Sequence, residues 1–220
     1  VEIRHVARMC LALPCRQHKV AMTLPLEATA EAQWKALDNK VRNQVRKAQK
    51  SGLVAERGGA ELTDDFYEVF ARNMRDLGTP VYGLQLFDET FRAAPEACAV
   101  HVVRKDGRPV AAGITIAHRD TVENPWASSL REFRALCPNM LLYWHMLEDS
   151  IVRGARVFDF GRSTPDEGTY HFKRQWGAQP TPMHWEYVLL GGTTLPDHSP
   201  KNVRFSKAIE VWQQLPVWLG

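Results

Sequence analysis

The sequence predicts a mixed α/β fold, a mainly antiparallel sheet with helices packed on its faces. Three strand-like segments follow one another between residues 97 and 127, and a hairpin signal joins the first two. After residue 138 the pattern alternates from helix to strand, then to helix and strand again. Two further strand-like segments and several amphipathic helices come before these blocks. Such helices bury their apolar stripe against a sheet, which gives the predicted layers.

The composition is that of a globular chain. Of 220 residues, 45% are hydrophobic and 24% are charged, which excludes wholesale disorder, collagen and a coiled coil. The 28 Lys and Arg against 25 Asp and Glu give a net charge of +3, which by itself does not indicate a nucleic-acid protein. No apolar run of about 18 residues predicts a membrane-spanning helix.

The four cysteines do not form a disulfide framework or a zinc ligand set. Cys10 and Cys15 lie close together, but no second Cys/His pair completes four ligands. We therefore expect no metal, no resident cofactor and a reducing, cytoplasmic compartment. The first residue is Val1, and we expect the chain to be a piece of a longer protein.

Two strands and two helices are predicted in the first quarter of the chain. Residues 1–13 and 20–24 alternate as strands, each ended by a proline. A helical pattern begins at Thr29, with Trp34 and Leu37 on one side. From Asp38 a basic helix follows, with apolar residues at spacings of three and four, and Ser51-Gly52 ends it. Its charged residues are Lys40, Arg42, Arg46, Lys47 and Lys50.

The middle of the chain predicts two helices and then three antiparallel strands. Thr63 is the expected N-cap of a helix whose apolar stripe ends at Leu77, and a short helix is expected over 87–93. Strands are predicted over 97–103, 110–117 and 121–127, the last one interrupted by Pro125.

The last part predicts helix, strand, helix and strand. The helix starts at Pro138 and ends at Gly154, and we expect His145 on it to be a surface or packing residue. A short buried strand over 157–160 turns out at Gly161. A helix over 168–176 and a strand over 184–190 follow, and the tail from residue 203 is predicted to be helical.

Common nucleotide and hydrolase motifs are missing, so the candidate site rests on the stretch 158–178. The sequence has no GxxxxGK[ST], GxGxxG, GxSxG or HExxH. In open α/β sheets ligands bind beyond the carboxyl ends of strands, and Asp159, Arg162 and Ser163 lie at such an end. Tyr170 and Lys173 are neighbours on the next helix, with Arg174 beside them. We expect Arg162, Tyr170 and Lys173 to converge on one hollow and hold an anionic reactant.

Two plainer interpretations of the same residues stay open. In the first, Asp159 and Arg162 form a structural ion pair that closes the turn. In the second, the basic helix is a solvent-exposed face that binds no partner.

Four blocks of the sequence resemble FemAB-like proteins, over about residues 20–187. The blocks are KVRNQVRKAQKSG (40–52), PNMLLYWH (138–145), GARVFDFGRS (154–163) and GTYHFKRQWGA (168–178). They most resemble the FemAB-related proteins associated with exosortase/PEP-CTERM and exopolysaccharide loci. The resemblance implies a GNAT-type acyltransferase fold, usually two such domains in tandem. Residues 1–25 would then end a preceding GNAT-like domain or supply shared strands, 26–195 form the FemAB-like GNAT domain, and 196–220 form a C-terminal helical tail.

The resemblance also implies an activity. FemX-like members carry aminoacyl groups from aminoacyl-tRNA to the amine of a peptidoglycan precursor, and a lysine matching Lys173 is implicated in stabilising the tetrahedral intermediate. The loop by which ordinary GNAT enzymes hold acetyl-CoA is not found here. Aminoacyl-tRNA or acyl-CoA as donor substrate, and a phosphorylated glycan or lipid-linked precursor as acceptor, follow as expectations, together with a missing N-terminal GNAT-like half.

The functional hypothesis is an acyl or aminoacyl transferase of a cell-envelope glycan or peptidoglycan-type acceptor. Lys173 stabilises the oxyanion, Arg162 holds a phosphate, and Tyr170 orients the acceptor, while Asp159 and His171 are candidate bases. The remaining substrate-binding candidates are Ser163 and Arg174, with Lys40, Arg42, Arg46 and Lys47 attracting a polyanion such as tRNA.

The alternative hypothesis is a non-catalytic GNAT-like module that binds a polyanionic glycan or scaffolds polysaccharide export. Such a module would bury Lys173 in an ion pair and use only the basic helix. The tail from Trp212 to Leu219 is apolar enough to rest on the inner face of the membrane, a further predicted contact.

Overall fold

The computed structural model describes residues 1–7, 9, 13–190, 195 and 206–214 of the chain. Within these residues the chain forms a mixed α/β fold with a mostly antiparallel sheet flanked by helices, as predicted. The strands are β1 (Glu2–His5), β2 (Cys15–Arg16), β3 (Val20–Pro25), β4 (Leu53–Gly58), β5 (Cys98–Lys105), β6 (Arg108–His118), β7 (Thr121–Ser129), β8 (Val157–Ser163), β9 (Gln179–Pro182) and β10 (His184–Tyr187). The helices are α1 (Ala30–Ala36), α2 (Asn39–Lys50), α3 (Thr63–Asp76), α4 (Leu84–Ala93), α5 (Pro138–Val152), α6 (Gly168–Arg174) and α7 (Ser206–Gln214).

Two sheets are present among the described residues. The large one has the strand order β4-β5-β6-β7-β8-β3-β9, and the small one has the order β1-β10-β2. Every pair in both sheets is antiparallel except β7 with β8, which run parallel. That parallel pairing covers only Thr121–Glu123 against Val157–Asp159, so the two strands part after three residues.

Helices cover both faces of the large sheet. On one face α2 and α5 pack together over a core that includes Val41, Val45 and Leu147. On the other face α3 and α4 enclose a cluster of aromatic residues around Phe66 and Phe87. Both clusters contain fully buried apolar side chains. Removing these side chains from water is the main stabilising contribution to the fold.

Capping and turn residues in the sequence predict where most of the helices and strands begin and end. Asp38 caps α2 with its carboxylate, which accepts from the Lys40 N–H at 2.7 Å, and Gly52 follows the helix at φ 74°. The hairpin between β5 and β6 turns at Asp106 and Gly107, both with positive φ. These ends were predicted because each depends on a few adjacent residues.

Several expectations of the sequence analysis need correction, and one is the strand predicted over 157–160, which passes Gly161 and ends at Ser163 as β8. Thr63 is the first residue of α3 rather than its cap, since it already has helical angles. Strand β7 runs through Pro125 without interruption, and β10 ends at Tyr187 rather than at residue 190. The first strand is also shorter than predicted and ends at His5, although residues 8 and 10–12 lie outside the described part.

A bulge explains why Pro125 fits inside β7. Ile114 pairs with Trp126 and Ile116 with Glu123, so two residues of β7 oppose one residue of β6. Proline has no N–H to give to a ladder, and a bulge is where that loss is tolerated. The Asn124 side chain fills the gap, since its amide donates to the carbonyls of Ile114 at 2.8 Å and Trp126 at 3.0 Å.

The described part of the tail contains helix α7, which contacts α3. The Gln213 amide donates to the Asp76 carbonyl at 3.2 Å. Residues 196–205 and 215–220, on which the rest of the predicted tail falls, lie outside the described residues. Among the helices that the structure describes, none combines the length and the apolar character needed to cross a bilayer.

Candidate functional site

The main candidate site is a cavity of about 620 Å³ at the point where β7 and β8 part. The pairing of β7 with β8 ends at Glu123 and Asp159. Beyond this pair the two strands separate, and their residues form the walls of the cavity. Its charged lining comes from Glu123, Asp159, Arg162 and Lys173. Its apolar lining includes Val6, Tyr82, Leu86, Trp126 and Met183.

Lys173 is a buried amine at the wall of this cavity. Its residue is 8% exposed, and Nζ donates to the Arg162 carbonyl at 2.8 Å. Burial lowers the pKa of Lys173 to about 8, while the Asp159 carboxylate acts to raise it and Arg162 to lower it. The amine therefore titrates near pH 8, and it lies at the wall of an open cavity.

A second bulge brings Asp159 and Arg162 to the same cavity. Regular alternation would send residues three apart to opposite faces of a strand. Ala21 pairs with Arg162 and Thr23 with Asp159, so β8 carries one extra residue here and the alternation is reversed. Gly161, at φ 74°, provides the turn, and its N–H donates to the Asp159 carboxylate at 2.7 Å.

Asp159 and Arg162 are not joined by an ion pair among the described contacts. Asp159 accepts from the backbone of its own strand, and the Arg162 guanidinium lies 5.7 Å from the centre of the Trp185 ring. Burial and the nearby Arg4 lower the pKa of Arg162, although it remains a cation at physiological pH. The structural ion pair considered from the sequence is therefore not seen.

Glu123 is a site residue that the sequence analysis missed. It lies opposite Asp159 in the parallel pairing, and it lines the cavity. Desolvation by the surrounding protein raises the pKa of its carboxyl, and the Asp159 charge raises it further. The only signal in the sequence is an acid directly before Asn124-Pro125, the residues that form the bulge.

Tyr170 and Ser163 do not line this cavity. Tyr170 is partly buried against the core, with its ring 5.5 Å from the His171 ring. Ser163 is 3% exposed, and its buried hydroxyl has no hydrogen-bond partner among the described residues. His171 is exposed, with Nε2 3.1 Å from the Asp166 carbonyl. Of the three residues expected to converge, the cavity thus contains Arg162 and Lys173.

The basic helix faces a different cavity. Lys40 lines a space of about 410 Å³ together with Arg174, Trp176 and the residues before α2. Arg174 donates to the Ala178 carbonyl at 3.2 Å and to the Gln179 side chain at 3.0 Å, which fixes the end of α6. Neither residue lines the cavity of Lys173. Lys40 and Arg174 therefore lie at a different cavity from Arg162 and Lys173.

Of the other cations of α2, Arg46, Lys47 and Lys50 are exposed, while Arg42 is partly buried. The Arg42 guanidinium donates to the Asn39 side chain. Arg46 lies over the Trp34 ring at 5.4 Å from its centre. Since α2 contains no acidic residue, this surface carries a net positive charge.

A second titratable cluster lies in the core, away from both cavities. His101 on β5 is fully buried, with Nδ1 3.2 Å from Nδ1 of His145 on α5 and Nε2 3.0 Å from the Thr115 hydroxyl. Burial lowers the pKa of both imidazoles. His145 is therefore a packing residue, one of the two roles expected for it.

Comparisons with known proteins agree with this architecture. Residues 35–174 match the family model described as Acetyltransferase (GNAT) domain. No curated protein sequence matches the chain. Among solved structures, the chain is similar to FemX, with a TM-score of 0.69 and 16% sequence identity, over 77% of this chain and 61% of FemX.

Two further structures share the fold. One is the C-terminal domain of a putative lysylphosphatidylglycerol synthetase from Agrobacterium fabrum, with a TM-score of 0.59 and 11% identity, over 79% of this chain and 61% of that chain. The other is L-PGS from Bacillus licheniformis, with a TM-score of 0.56 and 10% identity, over the same shares of 79% and 61%.

These identities are low, so the similarity concerns the fold. The chain spans about three fifths of the length of these structures, 61% in each. The family model, in contrast, matches more than half of the chain and includes β7, α5, β8 and α6, the elements around the cavity. The chain therefore belongs to the acetyltransferase (GNAT) domain family.

Proposed function

We propose that this chain is an acyl or aminoacyl transferase whose reaction takes place in the cavity between β7 and β8. One observation carries the proposal: the amine of Lys173 is buried, yet it lines an open space together with two carboxylates and Arg162. Membership in the GNAT family supports acyl transfer as the reaction type. A group held in this way is poised to act on charge that develops in a transition state.

In the proposed reaction an amine or hydroxyl of the acceptor attacks the carbonyl of an activated acyl donor. The carbonyl oxygen gains negative charge, and protonated Lys173 stabilises it. Its hydrogen bond to the Arg162 carbonyl holds the ammonium in place before the reaction begins. Removing one donor of this kind typically costs about 10²–10³ in rate.

The proton of the attacking group passes to a carboxylate of the cavity. The tetrahedral intermediate then collapses, the bond between the acyl carbon and the oxygen or sulfur of the donor breaks, and the leaving group takes up the proton as it departs. We assign the role of proton acceptor to Glu123, because burial raises its pKa and makes it a stronger base than an ordinary carboxylate. The Asp159 carboxylate already accepts from the backbone N–H of Gly161, so we assign it to fixing the turn and to keeping Lys173 protonated. Tyr170 lies outside the cavity lining, and its part in orienting the acceptor stays a prediction.

The substrates belong to the same proposal. A glycan or peptidoglycan-type acceptor, phosphorylated or lipid-linked, and aminoacyl-tRNA or acyl-CoA as donor are consistent with the fold shared with FemX. The exposed cations of α2 suit a long polyanion such as tRNA, which a surface rather than a cavity would hold. A place in the exosortase/PEP-CTERM-associated branch, a contact with the membrane and a preceding GNAT-like domain stay predictions.

A non-catalytic binding module is the second candidate. It would need no open space around Lys173 and would hold that amine in an ion pair. The Nζ atom instead donates to a backbone carbonyl beside a cavity of about 620 Å³, which favours the enzyme.

The test is a transfer assay on the full-length protein. Labelled aminoacyl-tRNA or acyl-CoA is incubated with nucleotide- and lipid-linked peptidoglycan precursors, and products are identified by mass spectrometry. We expect transfer in the wild type and its loss in Lys173→Ala. Lys35→Ala serves as the control, since Lys35 is an exposed lysine paired with Glu31. Equal transfer by both variants would remove Lys173 from the mechanism, and binding of a glycan without any transfer would favour the module.

A further inference from the structure

Lys173 is the one lysine among the described residues that line the cavity between β7 and β8. It comes from α6, and the hydrogen bond from Nζ to the Arg162 carbonyl, 2.8 Å long, fixes the end of its side chain at the wall. The residue is 8% exposed, so a reagent reaches it from the cavity rather than from the outer surface. A molecule that enters the cavity therefore contacts this amine.

The surroundings of Nζ decide how much of the amine is neutral. The charged groups that share the cavity with it are Asp159 and Arg162 on β8 and Glu123 on β7. Burial lowers the pKa of Lys173 to about 8, while Asp159 opposes this shift and Arg162 adds to it. About one quarter of the amine is then neutral at pH 7.5, against about one in a thousand for an ordinary exposed lysine. Only the neutral form has a lone pair that attacks a carbonyl.

The proposed reaction brings an activated carbonyl to this amine. In that reaction the ammonium of Lys173 stabilises the carbonyl oxygen, which requires the nitrogen to lie about 3 Å from that oxygen. A neutral amine at the same place competes with the acceptor for the carbonyl carbon. No rearrangement of the backbone is needed, because Lys173 already lines the space in which the donor reacts.

We propose that Lys173 is itself an acylation site: when no acceptor occupies the cavity, its neutral amine attacks the carbonyl of the activated donor, and the amide that forms ends transfer. This inference rests on the proposed function for the placement of the donor. A bond forms between Nζ and the acyl carbon, and the bond from that carbon to the oxygen or sulfur of the donor breaks. The leaving group departs with the proton that the nitrogen gives up. The amide is uncharged, so it lacks the charge that stabilises the oxyanion in a later turnover.

Asp159 protects Lys173 from this reaction. Its carboxylate favours the ammonium form, which has no lone pair with which to attack. The Gly161 N–H donates to that carboxylate at 2.7 Å, so the turn of β8 keeps the protecting charge in place. Transfer and acylation of Lys173 thus depend on two protonation states of one amine, and Asp159 shifts the ratio towards the state that supports transfer.

The test exposes the full-length protein, without an acceptor, to p-nitrophenyl acetate, a small uncharged activated ester. Acetylation of individual lysines is followed by mass spectrometry of proteolytic peptides between pH 6 and 10, and Lys50, exposed on α2, is the internal control. At pH 7.5 we expect Lys173 to be acetylated at least about tenfold faster than Lys50, because far more of it is neutral. The rate at Lys173 should level off above pH 8, whereas the rate at Lys50 should keep rising.

Asp159→Asn is the variant that tests the protecting charge. It keeps an oxygen that accepts from the Gly161 N–H and removes the negative charge beside Lys173. We expect acetylation of Lys173 at pH 7 to become about twofold to fivefold faster than in the wild type, because the ammonium loses its stabilising neighbour. Acetylation of Lys50 should stay the same.

Two results would overturn the acylation site. One is acetylation of Lys173 no faster than that of Lys50 at pH 7.5. The other is slower acetylation of Lys173 in Asp159→Asn than in the wild type at an equal melting temperature. If Asp159→Asn unfolds, the comparison of the two lysines within the wild type still decides.

The acetylation rates are measured without any transfer reaction, so their failure is distinct from failure of the proposed function. Fast acetylation of Lys173 in a protein that transfers no acyl group would support the reactive amine and contradict the proposed enzyme. Transfer that is lost in Lys173→Ala, in a protein whose Lys173 resists the ester, would support the enzyme and overturn the acylation site. In the active wild type, transfer should fall in proportion to the acetylated fraction of Lys173, and full transfer by completely acetylated Lys173 would also contradict the inference.

Discussion

Lys173 and the His101–His145 pair are both buried bases with a lowered pKa, but their surroundings differ. Lys173 lines a cavity of about 620 Å³ and shares it with two carboxylates. The histidines face the Thr115 hydroxyl, the Asp149 carboxylate 3.9 Å from His101, and the guanidinium of Arg57. Removal from water shifts both titrations in the same direction, yet of these three bases only Lys173 lines the cavity. A shifted pKa thus points to function where space for a ligand lies beside it.

The most direct test of this difference is Lys173→Met, which keeps about the same side-chain volume and removes the charge. We expect transfer to fall about 10²–10³-fold, because the oxyanion loses its donor. The free energy of unfolding should stay equal or rise by about 1–3 kcal/mol, because burying the ammonium is unfavourable. Rate measurements and urea unfolding on the same samples check both. A variant that lost stability and activity together would make Lys173 a structural residue.

The pH dependence of transfer is expected to follow Lys173. Its folded pKa of about 8 means that the ammonium is lost as pH rises through that value. If the ammonium is the active form, the rate falls above pH 8, by about tenfold per pH unit at the limit. A rate that instead rises through pH 8 would make Lys173 the base. Lys173→Arg, which stays cationic, should lose the alkaline decline.

Removing His101 is expected to lower stability and to leave the transfer rate unchanged, the opposite of the outcome expected for Lys173→Met. His101→Leu leaves the Thr115 hydroxyl and His145 without their partner, and we expect a loss of about 1–3 kcal/mol of stability. Transfer by the folded fraction should be unchanged, since neither imidazole lines the cavity. Chemical unfolding and single-turnover rates measure the two effects. A large rate defect at full occupancy of the folded state would contradict the separation of the two clusters.

Acid should weaken the fold through the same pair. Both folded pKa values lie below the ordinary value, so the neutral forms are favoured by folding. The unfolded chain takes up protons first as pH falls below about 6.5, and stability falls with it, by up to about 1.4 kcal/mol per pH unit for each proton. Asp149 lessens the effect at His145, and Arg57 adds to it. The double variant His101→Gln/His145→Gln should show a flatter profile between pH 5 and about 7.

The smallest expected effect concerns α2. Lys47→Gln/Lys50→Gln should leave kcat unchanged and raise KM about twofold to fivefold for a tRNA donor at low salt, with the difference vanishing as salt screens the charges. An unchanged KM at low salt would make α2 a solvated face, the plainer interpretation of its sequence.

The sequence predicted the elements well where local residues decide them. Asp38 and Gly52 bound α2 because capping depends on neighbouring groups, and Pro138 begins α5 for the same reason. The parallel pairing of β7 with β8 had no comparable signal. It depends on where α5 returns the chain to the sheet.

The candidate site was predicted only in part, because some of its residues carry a local signal and others depend on the pairing of distant strands. Arg162 and Lys173 were found because unusual polar residues follow a buried strand. Glu123 was missed because it reaches the cavity through the parallel pairing of β7 with β8, which no local residue pattern indicates. Tyr170 was expected beside Lys173 because residues three apart on a helix share a side, but it packs against the core and does not line the cavity.

The extra residue at Gly161 makes the spacing between charges in the cavity a property of the backbone. A side chain at this position has room, since the nearest atom to a built Cβ is the Asn124 carbonyl at 3.8 Å, but the φ of 74° disfavours every residue with a Cβ. Deleting that one residue would leave Asp159 and Arg162 two apart in regular alternation, still on one face of the strand, but without the Gly161 N–H that holds the Asp159 carboxylate. A one-residue deletion would therefore shorten the distance between the two charges along the strand without changing either side chain, which gives protein engineers a backbone handle on this cavity.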